Sequence, residues 1–272
     1  VTWPAAQRTE LRSIRYSVAD LAPTGDALDR LGTLIQELVA PESWQAAGGQ
    51  GTLRVADGTL EIGQTGIVHG QIVVFCERLR AARRLPLRSG LPPARFSLVS
   101  RFAQGRARLN EPVTANFPEP TPLDQVARYL QHAGKMRILT NWLALAEEGI
   151  GSQEQVTVVG DSLPLGEILT QLLRPMGLAY RVVDADTLEI STAKAVESRL
   201  ELEFYPAGDL TIQTSPGDLI RRLQADTAAS TWSDVGGSGL ARFDDGSKCL
   251  LVLQSQPVQA AVETYLAGLR AG

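Results

Sequence analysis

The 272-residue chain has few of the side chains on which enzymatic chemistry most often depends. It contains two histidines, His69 and His132, and two cysteines, Cys76 and Cys249. The histidines fall in predicted helices of different domains, without the His-Glu-x-x-His spacing of zinc hydrolases. Neither cysteine belongs to a metal-binding pair, so we expect two buried, inert thiols and no disulfide between them. The sequence therefore predicts no enzyme activity, no metal site and no cofactor.

Long apolar runs are also missing, and none approaches the ~20 residues that a membrane-spanning helix needs. Residues 1–4 lack the basic-then-apolar pattern of a signal peptide, which we therefore expect to be absent from this sequence. The net charge of −4 argues against a general nucleic-acid binder. Hydrophobic residues make up 44% of a chain that is too long for one ordinary core, so we expect two or three domains.

An internal repeat is present near the two ends of the chain. Each copy has a tyrosine followed by Asp-Leu, then Trp-x-x-x-Gly-Gly-x-Gly, then a helical pattern that ends in Leu-Arg. The landmarks are Tyr16, Asp20, Trp44, Gly48, Gly49 and Gly51 in the first copy, and Tyr205, Asp209, Trp232, Gly236, Gly237 and Gly239 in the second. Because the landmarks keep their order, the sequence predicts a duplicated module with a packed tryptophan beside a glycine turn.

Each copy is predicted to fold as strand, helix, strand, strand, helix. In the first copy we expect a strand at 15–21, a helix from Asp26, a hairpin around Asp57-Gly58 and a helix at 67–80. The apolar residues expected to be buried by these helices are Leu28, Leu31, Leu34, Ile35, Leu38, Ile67, Ile72, Phe75 and Leu79. In the second copy we expect a turn at Asp244-Asp245-Gly246, a strand at 250–253 and a last helix opened by Pro257.

The middle of the chain has a different pattern. Strands are predicted at 113–117, 136–139, 156–159, 179–183 and 187–191. Helices are predicted from Pro122-Leu123, with Val126, Tyr129 and Leu130 on its apolar face, at 142–147 and from Pro164-Leu165. The whole is an α+β protein of three small modules: residues 1–86, a linker or connecting helix at 87–110, residues 111–192 and residues 193–272.

Three stretches of the middle segment carry a family resemblance. They are 113–123, 156–159 with Pro164-Leu165-Gly-Glu-Ile-Leu169, and 172–180 running into Thr187-Leu-Glu-Ile-Ser191. They resemble the short N-terminal (STN) domain shared by secretins and TonB-dependent receptors, with a βαβ-βαββ order. The flanking copies resemble the KH-like βαββα modules that follow that domain in secretins. The resemblance implies a periplasmic protein of the bacterial cell envelope that acts by protein–protein contact, without the pore-forming β-domain.

The stretch from Arg78 to Arg108 holds nine arginines, with Glu77 just outside it. Arg78, Arg80, Arg83 and Arg84 crowd the end of a predicted helix, where cations suit the helix dipole. A solvated or domain-docking face explains such a cluster. The alternative is a surface for an anionic partner such as nucleic acid, an acidic polymer or lipid headgroups.

Other local patterns mimic known sites without completing them. The run Gly236-Gly-Ser-Gly239 lacks the last glycine of a nucleophile elbow, since Leu240 stands there. The run Gly48-Gly-Gln-Gly51 lacks the basic neighbours of a KH-type nucleic-acid loop. The first hypothesis is therefore a non-enzymatic envelope scaffold that binds itself or other envelope proteins. The alternatives are a peptide- or small-ligand-binding sensor and an anion or nucleic-acid binder.

Overall fold

The computed structural model describes residues 10–56 and 58–271, so the expectations for residues 1–4 and for Asp57 lie outside the described residues. The chain divides into two compact units. Unit 1 extends to Leu98 and also includes Phe204–Arg222 and Leu240–Leu253. Unit 2 contains Val99–Glu203, Leu223–Gly239 and the chain from Gln254 onward. The segment predicted as one module at 193–272 is therefore divided between the units.

The amino-terminal segment of unit 1 forms a three-stranded antiparallel sheet with two helices, in the order strand, helix, strand, strand, helix. The sheet order is β1-β3-β2. The elements are β1 Leu11–Tyr16, α1 Gly25–Leu38, β2 Thr52–Ala56, β3 Thr59–Thr65 and α2 Gly66–Ala82.

The first predicted strand, 15–21, is wrong in position. The strand is Leu11–Tyr16, and the chain then turns, with the amides of Leu21 and Ala22 both donating to the carbonyl of Val18. Val18, Leu21 and Ala22 are all buried. Their spacing of three and four residues suits a turn that directs its apolar side to the core, whereas a strand would alternate.

The two predicted helices of this segment are confirmed, with one wrong contact. Thr24 and Thr65 cap α1 and α2 by accepting backbone amide hydrogens. Four apolar residues of α1 and three of α2 are buried as expected: Leu28, Leu31, Ile35, Leu38, Ile72, Phe75 and Leu79. Leu34, also expected to be buried, is half-buried. Ile67 is instead 53% exposed, because five residues separate it from Ile72 and place it on another face of the helix.

The carboxyl-terminal segment has the same element order and the same relative strand order. The strand order of its sheet is β10-β11-β9, so the third strand of the copy, β11, lies between the second, β10, and the first, β9. A short helix, α7 Ala193–Ser198, precedes it. The elements are β9 Leu200–Pro206, α8 Pro216–Asp226, β10 Leu240–Asp244, β11 Cys249–Ser255 and α9 Gln256–Ala271.

The middle segment, in unit 2, contains two small sheets. Strands β4 and β6 pair antiparallel, and the second sheet has the order β5-β8-β7, with β5 parallel to β8. Its core is aliphatic and includes Val126, Leu130, Ile168 and Ile190. The elements are α3 Arg101–Leu109, β4 Pro112–Pro122, α4 Leu123–Ala133, β5 Arg137–Thr140, α5 Trp142–Glu147, β6 Gln155–Pro164, α6 Leu165–Leu173, β7 Leu178–Asp184 and β8 Thr187–Thr192.

The mixture of helices with several small sheets confirms the predicted α+β class. Helices α4, α5 and α6 begin where the sequence places them. Tyr129, expected on the apolar face of α4, is exposed, with its ring edge-on to Phe117 and its hydroxyl donating to the carbonyl of Thr114. No helix in the described residues is both long and apolar enough to span a bilayer.

Candidate functional site

The tryptophan and glycines of the first copy form a tight structural turn. Trp44 is 1% exposed and its Nε1 donates to the carbonyl oxygen of Val39 at 2.8 Å. Gly48 has φ of +88°, which favours glycine. A Cβ on Gly49 would collide with the carbonyl group of Ser43. These glycines therefore serve the backbone path around a buried indole.

The second copy repeats this turn. Trp232 is also 1% exposed, and its Nε1 donates to the carbonyl oxygen of Thr227 at 2.6 Å. Gly236 has φ of +92°, and a Cβ on Gly237 would collide with the carbonyl group of Thr231. The predicted burial of both tryptophans is confirmed. Ser238 lies in this turn, and in both copies the turn serves the backbone path around the buried indole.

A pair of buried glutamines completes the turns, and the sequence analysis missed them. Gln64 Nε2 donates to Ser43 Oγ at 2.7 Å, while its Oε1 accepts the amide hydrogen of Thr65. Gln254 makes the same bonds to Thr231 Oγ1, at 2.7 Å, and Ser255. The glutamine amides fill the space that side chains at Gly51 and Gly239 would need. The signal was a Gln-Thr or Gln-Ser pair directly before the last helix of each copy.

His69 has a structural position that fixes β1 to α2. Its Nε2 lies 2.8 Å from the carbonyl oxygen of Arg12, and its Nδ1 lies 2.7 Å from the hydroxyl of Tyr16. Because a carbonyl oxygen only accepts, Nε2 donates and Nδ1 accepts from Tyr16. Burial, followed by the neighbouring Cys76, raises the pKa of Tyr16. The other histidine, His132, is exposed on α4.

Most of the arginines at the end of α2 contact other residues of unit 1. Arg80 is buried and donates to Asp20, with Nε at 2.7 Å from Oδ2, and to Glu77 at 3.0 Å. The hydrogen bond from Arg80 lowers the pKa of Asp20. Arg78 is buried with its guanidinium 4.5 Å from the centre of the Phe204 ring, and Arg84 is exposed. The four arginines named as a possible anion-binding surface are therefore not gathered on one exposed face.

Arg83 belongs to a contact between the helices of the first copy and the sheet of the second, inside unit 1. Its Nη2 and Nε donate to the two carboxylate oxygens of Asp244 at 2.5 and 3.0 Å. Burial raises the pKa of Asp244, but bonds from Arg83 and Ser247 outweigh it and lower that pKa. Arg242 forms the same two-pronged pair with Glu37. These planar pairs fix the register of the contact.

Both cysteines are buried and outside any disulfide. Burial raises the pKa of the Cys76 thiol to about 12 and also raises that of Cys249. In the part of the chain that the structure describes, no group of three His, Cys, Asp or Glu side chains is placed to hold a metal ion.

The open side of β5 is the candidate protein-binding site. Strand β5 lies at the end of its sheet, with β8 on its other side. Leu139 and Trp142 are exposed and Leu143 is 76% exposed, so three large apolar side chains lie within five residues at the end of this strand. A sheet edge beside exposed apolar side chains is suited to pairing with another chain.

A groove runs between β5 and α4. Its volume is about 260 Å³, and it is lined by Ile138 and Thr140 of β5, by Trp142, and by Asp124, Ala127, Arg128 and Gln131 of α4. This is smaller than the ~300–1,000 Å³ usual for small-molecule pockets. The groove therefore fits a few side chains of a bound segment. A second depression, beside Thr170 and Arg174, is lined by four residues of α6 and the turn after it.

No protein-family model and no curated protein matches the chain. Among solved structures, the GspC–GspD complex of the type II secretion system of enterotoxigenic Escherichia coli is similar over 59% of this chain and 99% of that chain, at 14% identity and a TM-score of 0.23. XcpQ N012 is similar over 58% of this chain and 65% of that chain, at 17% identity and a TM-score of 0.22. The V. cholerae type IV competence pilus secretin PilQ is similar over 57% of this chain and 38% of that chain, at 16% identity and a TM-score of 0.23.

Proposed function

We propose that this chain is a non-enzymatic scaffold or adaptor of the bacterial cell envelope that binds other proteins through its α+β modules. The observation that carries the proposal is the open edge of β5 beside Leu139, Trp142 and Leu143. An open edge presents backbone donors and acceptors that pairing with a partner satisfies. On β5 one of these groups, the amide of Ile138, already donates to Gln131 Oε1. The exposed apolar side chains add area that a partner would remove from water.

The contact inside unit 1 supports a structural role. Arg83 with Asp244 and Arg242 with Glu37 are pairs in which each guanidinium meets two carboxylate oxygens. Phe75 and Phe204 pack between these helices and this sheet, with ring centres 6.0 Å apart. Such pairs are directional and hold the two sides of this contact inside unit 1 in one arrangement, which suits a structural role.

The proposal includes the module assignments. Residues 111–192 would be an STN-like domain between two KH-like repeats, 1–86 and 193–272, with a connecting segment at 87–110, in a periplasmic protein. The resemblance to secretin modules supports this, as do the shared strand order and the paired turns around Trp44 and Trp232.

One alternative has its own observation. A peptide-binding sensor is favoured by the groove between α4 and β5, which is lined by residues of both elements. The anionic-partner alternative has less support, since Arg80 and Arg83 are bonded to carboxylates of the chain itself.

Co-purification tests the proposal. The intact chain is incubated with native envelope extract from a bacterium that encodes it, and bound proteins and small molecules are identified by mass spectrometry. We expect a protein partner at a fixed ratio to the chain. Recovery of a tightly bound metabolite without a protein, together with turnover in a broad substrate screen, would contradict the proposal.

A further inference from the structure

We propose that the outer face of the first sheet binds a helix of a partner protein that carries a glutamate. This outer face is the side of β1, β2 and β3 that points away from α1 and α2, and it includes Ser13, Arg15, Thr52, Arg54 and Glu61. The inference lies beyond the β5 edge but rests on the proposed function, because it names a second surface and a chemistry for a protein partner.

Strand pairing places the charged side chains of the outer face in one row. Arg15 of β1 and Arg54 of β2 both lie opposite Glu61 of β3, one on each side of it. Residues directly opposite each other in an antiparallel sheet point to the same face. The alternate residues of β3, Leu60 and Ile62, are 0% exposed and belong to the face that packs on the helices. Arg15 and Arg54 are exposed, so the row faces solvent.

The corresponding face of the second sheet is covered by helices. Arg242 and Asp244 of β10 pair with Glu37 of α1 and with Arg83 at the end of α2. Leu251 of β11 lies opposite Arg242 and is fully buried. Within unit 1, the outer face of the second sheet is therefore a surface that docks on helices of another module.

Arg54 is the counterpart of Arg242 in the first copy. Each arginine is the third residue after the last glycine of its tryptophan turn, Gly51 or Gly239, and each lies in an edge strand. Two nitrogens of Arg242 donate to the carboxylate of Glu37, at 2.8 and 2.9 Å. In the part of the chain that the structure describes, Arg54 is exposed and is in no ion pair. The first copy thus presents to solvent the group that holds a helix carboxylate in the second copy.

The charge of the row selects a carboxylate. Two arginines, Arg15 and Arg54, flank one acid, Glu61, whose Oε1 accepts from Ser13 Oγ at 3.3 Å. The row therefore has a net positive charge, which complements an acidic helix. Glu61 also stands where the second copy has Leu251, so this face is the more polar of the two. Permanent interfaces are more apolar, and we expect binding here to be reversible.

The test uses the full chain and an alanine-based helical peptide with two glutamates four residues apart. The peptide has about twenty residues, a length at which such a helix forms in water. Two peptides with glutamine or lysine at the same positions are compared with it, and binding is followed by backbone amide NMR shifts. We expect shifts at Ser13, Arg15, Arg54 and Glu61 with the glutamate peptide. The glutamine and lysine peptides should bind at least several-fold more weakly.

Matched substitutions locate the effect. Arg54→Gln should weaken binding of the glutamate peptide by roughly three- to tenfold. Arg30→Gln is the control, because Arg30 is also exposed but lies on α1, on the other side of the sheet. Equal effects of the two substitutions, equal binding of the three peptides, shifts located elsewhere, or no binding of the glutamate peptide would overturn this inference.

Self-association is a separate outcome. Concentration-dependent shifts at Arg15 and Arg54 without any peptide would show that a second copy of the chain covers this face, and would overturn the partner-helix inference. A protein partner that co-purifies equally with the wild-type chain and with Arg54→Gln, while the peptide fails, would leave the scaffold function standing and remove only this surface. If neither a partner nor a peptide binds, both proposals fall.

Discussion

His69 and Gln259 make the same hydrogen bond in the two copies of the strand–helix–hairpin–helix arrangement. His69 Nε2 lies 2.8 Å from the carbonyl oxygen of Arg12, and Gln259 Nε2 donates to the carbonyl oxygen of Glu201 at 2.8 Å. Each bond joins the last helix of a copy to its first strand. His69 also accepts from the hydroxyl of Tyr16.

This equivalence predicts that His69→Gln is tolerated better than His69→Ala. Alanine leaves the carbonyl of Arg12 and the hydroxyl of Tyr16 without this partner and should cost about 1–3 kcal/mol of unfolding free energy. Glutamine keeps the donor to Arg12 and should cost less. Urea unfolding measures both variants, and equal losses would show that the bond to Arg12 contributes nothing.

The buried tryptophans should be essential to stability. Trp44→Ala and Trp232→Ala each remove a fully packed indole and should cost about 3–5 kcal/mol. Trp142→Ala is the matched control, since Trp142 is partly exposed beside the groove, and it should cost under about 1 kcal/mol. Unchanged thermal unfolding in Trp232→Ala would contradict the packing described for that residue.

Replacement of glycine by alanine should change the free energy of unfolding in opposite directions at two positions. Gly49→Ala places a Cβ against the carbonyl group of Ser43 and should destabilise the chain by more than about 1 kcal/mol. Gly70→Ala, in helix α2 with nothing near the added Cβ, should stabilise it by about 0.5–1 kcal/mol. Chemical unfolding of the two variants is the measurement. A loss at both positions would show that steric contact is not the deciding factor.

Asp244 should contribute an acid-sensitive part of the stability. Its pKa is lower in the folded chain than the ordinary 3.8, so its contribution is present above that value and is lost as the pH falls through the folded pKa. Asp244→Asn should cost about 3 kcal/mol at neutral pH, because Arg83 loses its carboxylate. The difference in unfolding free energy between the variant and the wild type should become smaller below about pH 4. Asp245→Asn, at the exposed neighbouring position, should show neither effect.

The thiols should be unreactive in the folded state. Burial raises the pKa of Cys76 to about 12, so thiolate is scarce at neutral pH. A thiol reagent should modify Cys76 and Cys249 only after unfolding, and reduction should leave the intact mass unchanged. A mass gain of two hydrogens on reduction would contradict the unpaired state of these cysteines.

The sequence predicted elements best where local chemistry decides them. The Pro-Leu pairs at 122–123 and 164–165 mark where α4 and α6 begin, and the apolar spacing of 28–38 identifies the buried face of α1. The strand expected at 15–21 failed because Val18 and Leu21 are buried by a turn. Apolar content alone does not separate a strand from a turn of this kind.

Local sequence patterns could not predict the contacts between residues that are far apart in the chain. Arg83 and Asp244 are 161 residues apart, and nothing local marks them as partners. The open edge of β5 depends on its parallel pairing with β8, about fifty residues further along the chain. The pairing of Gln64 with Ser43 could have been found by aligning the two copies beyond their glycines, since Gln254 and Thr231 repeat it.

Site-specific photo-crosslinking tests whether proteins bind at the β5 edge. A photoreactive amino acid is placed at Leu143, which is 76% exposed beside β5, and in a separate sample at Ile212, which is 80% exposed in unit 1. After irradiation in native envelope extract, we expect one discrete protein adduct from position 143 and none from position 212. Absence of an adduct at 143, or identical adducts from both positions, would contradict protein binding at this edge.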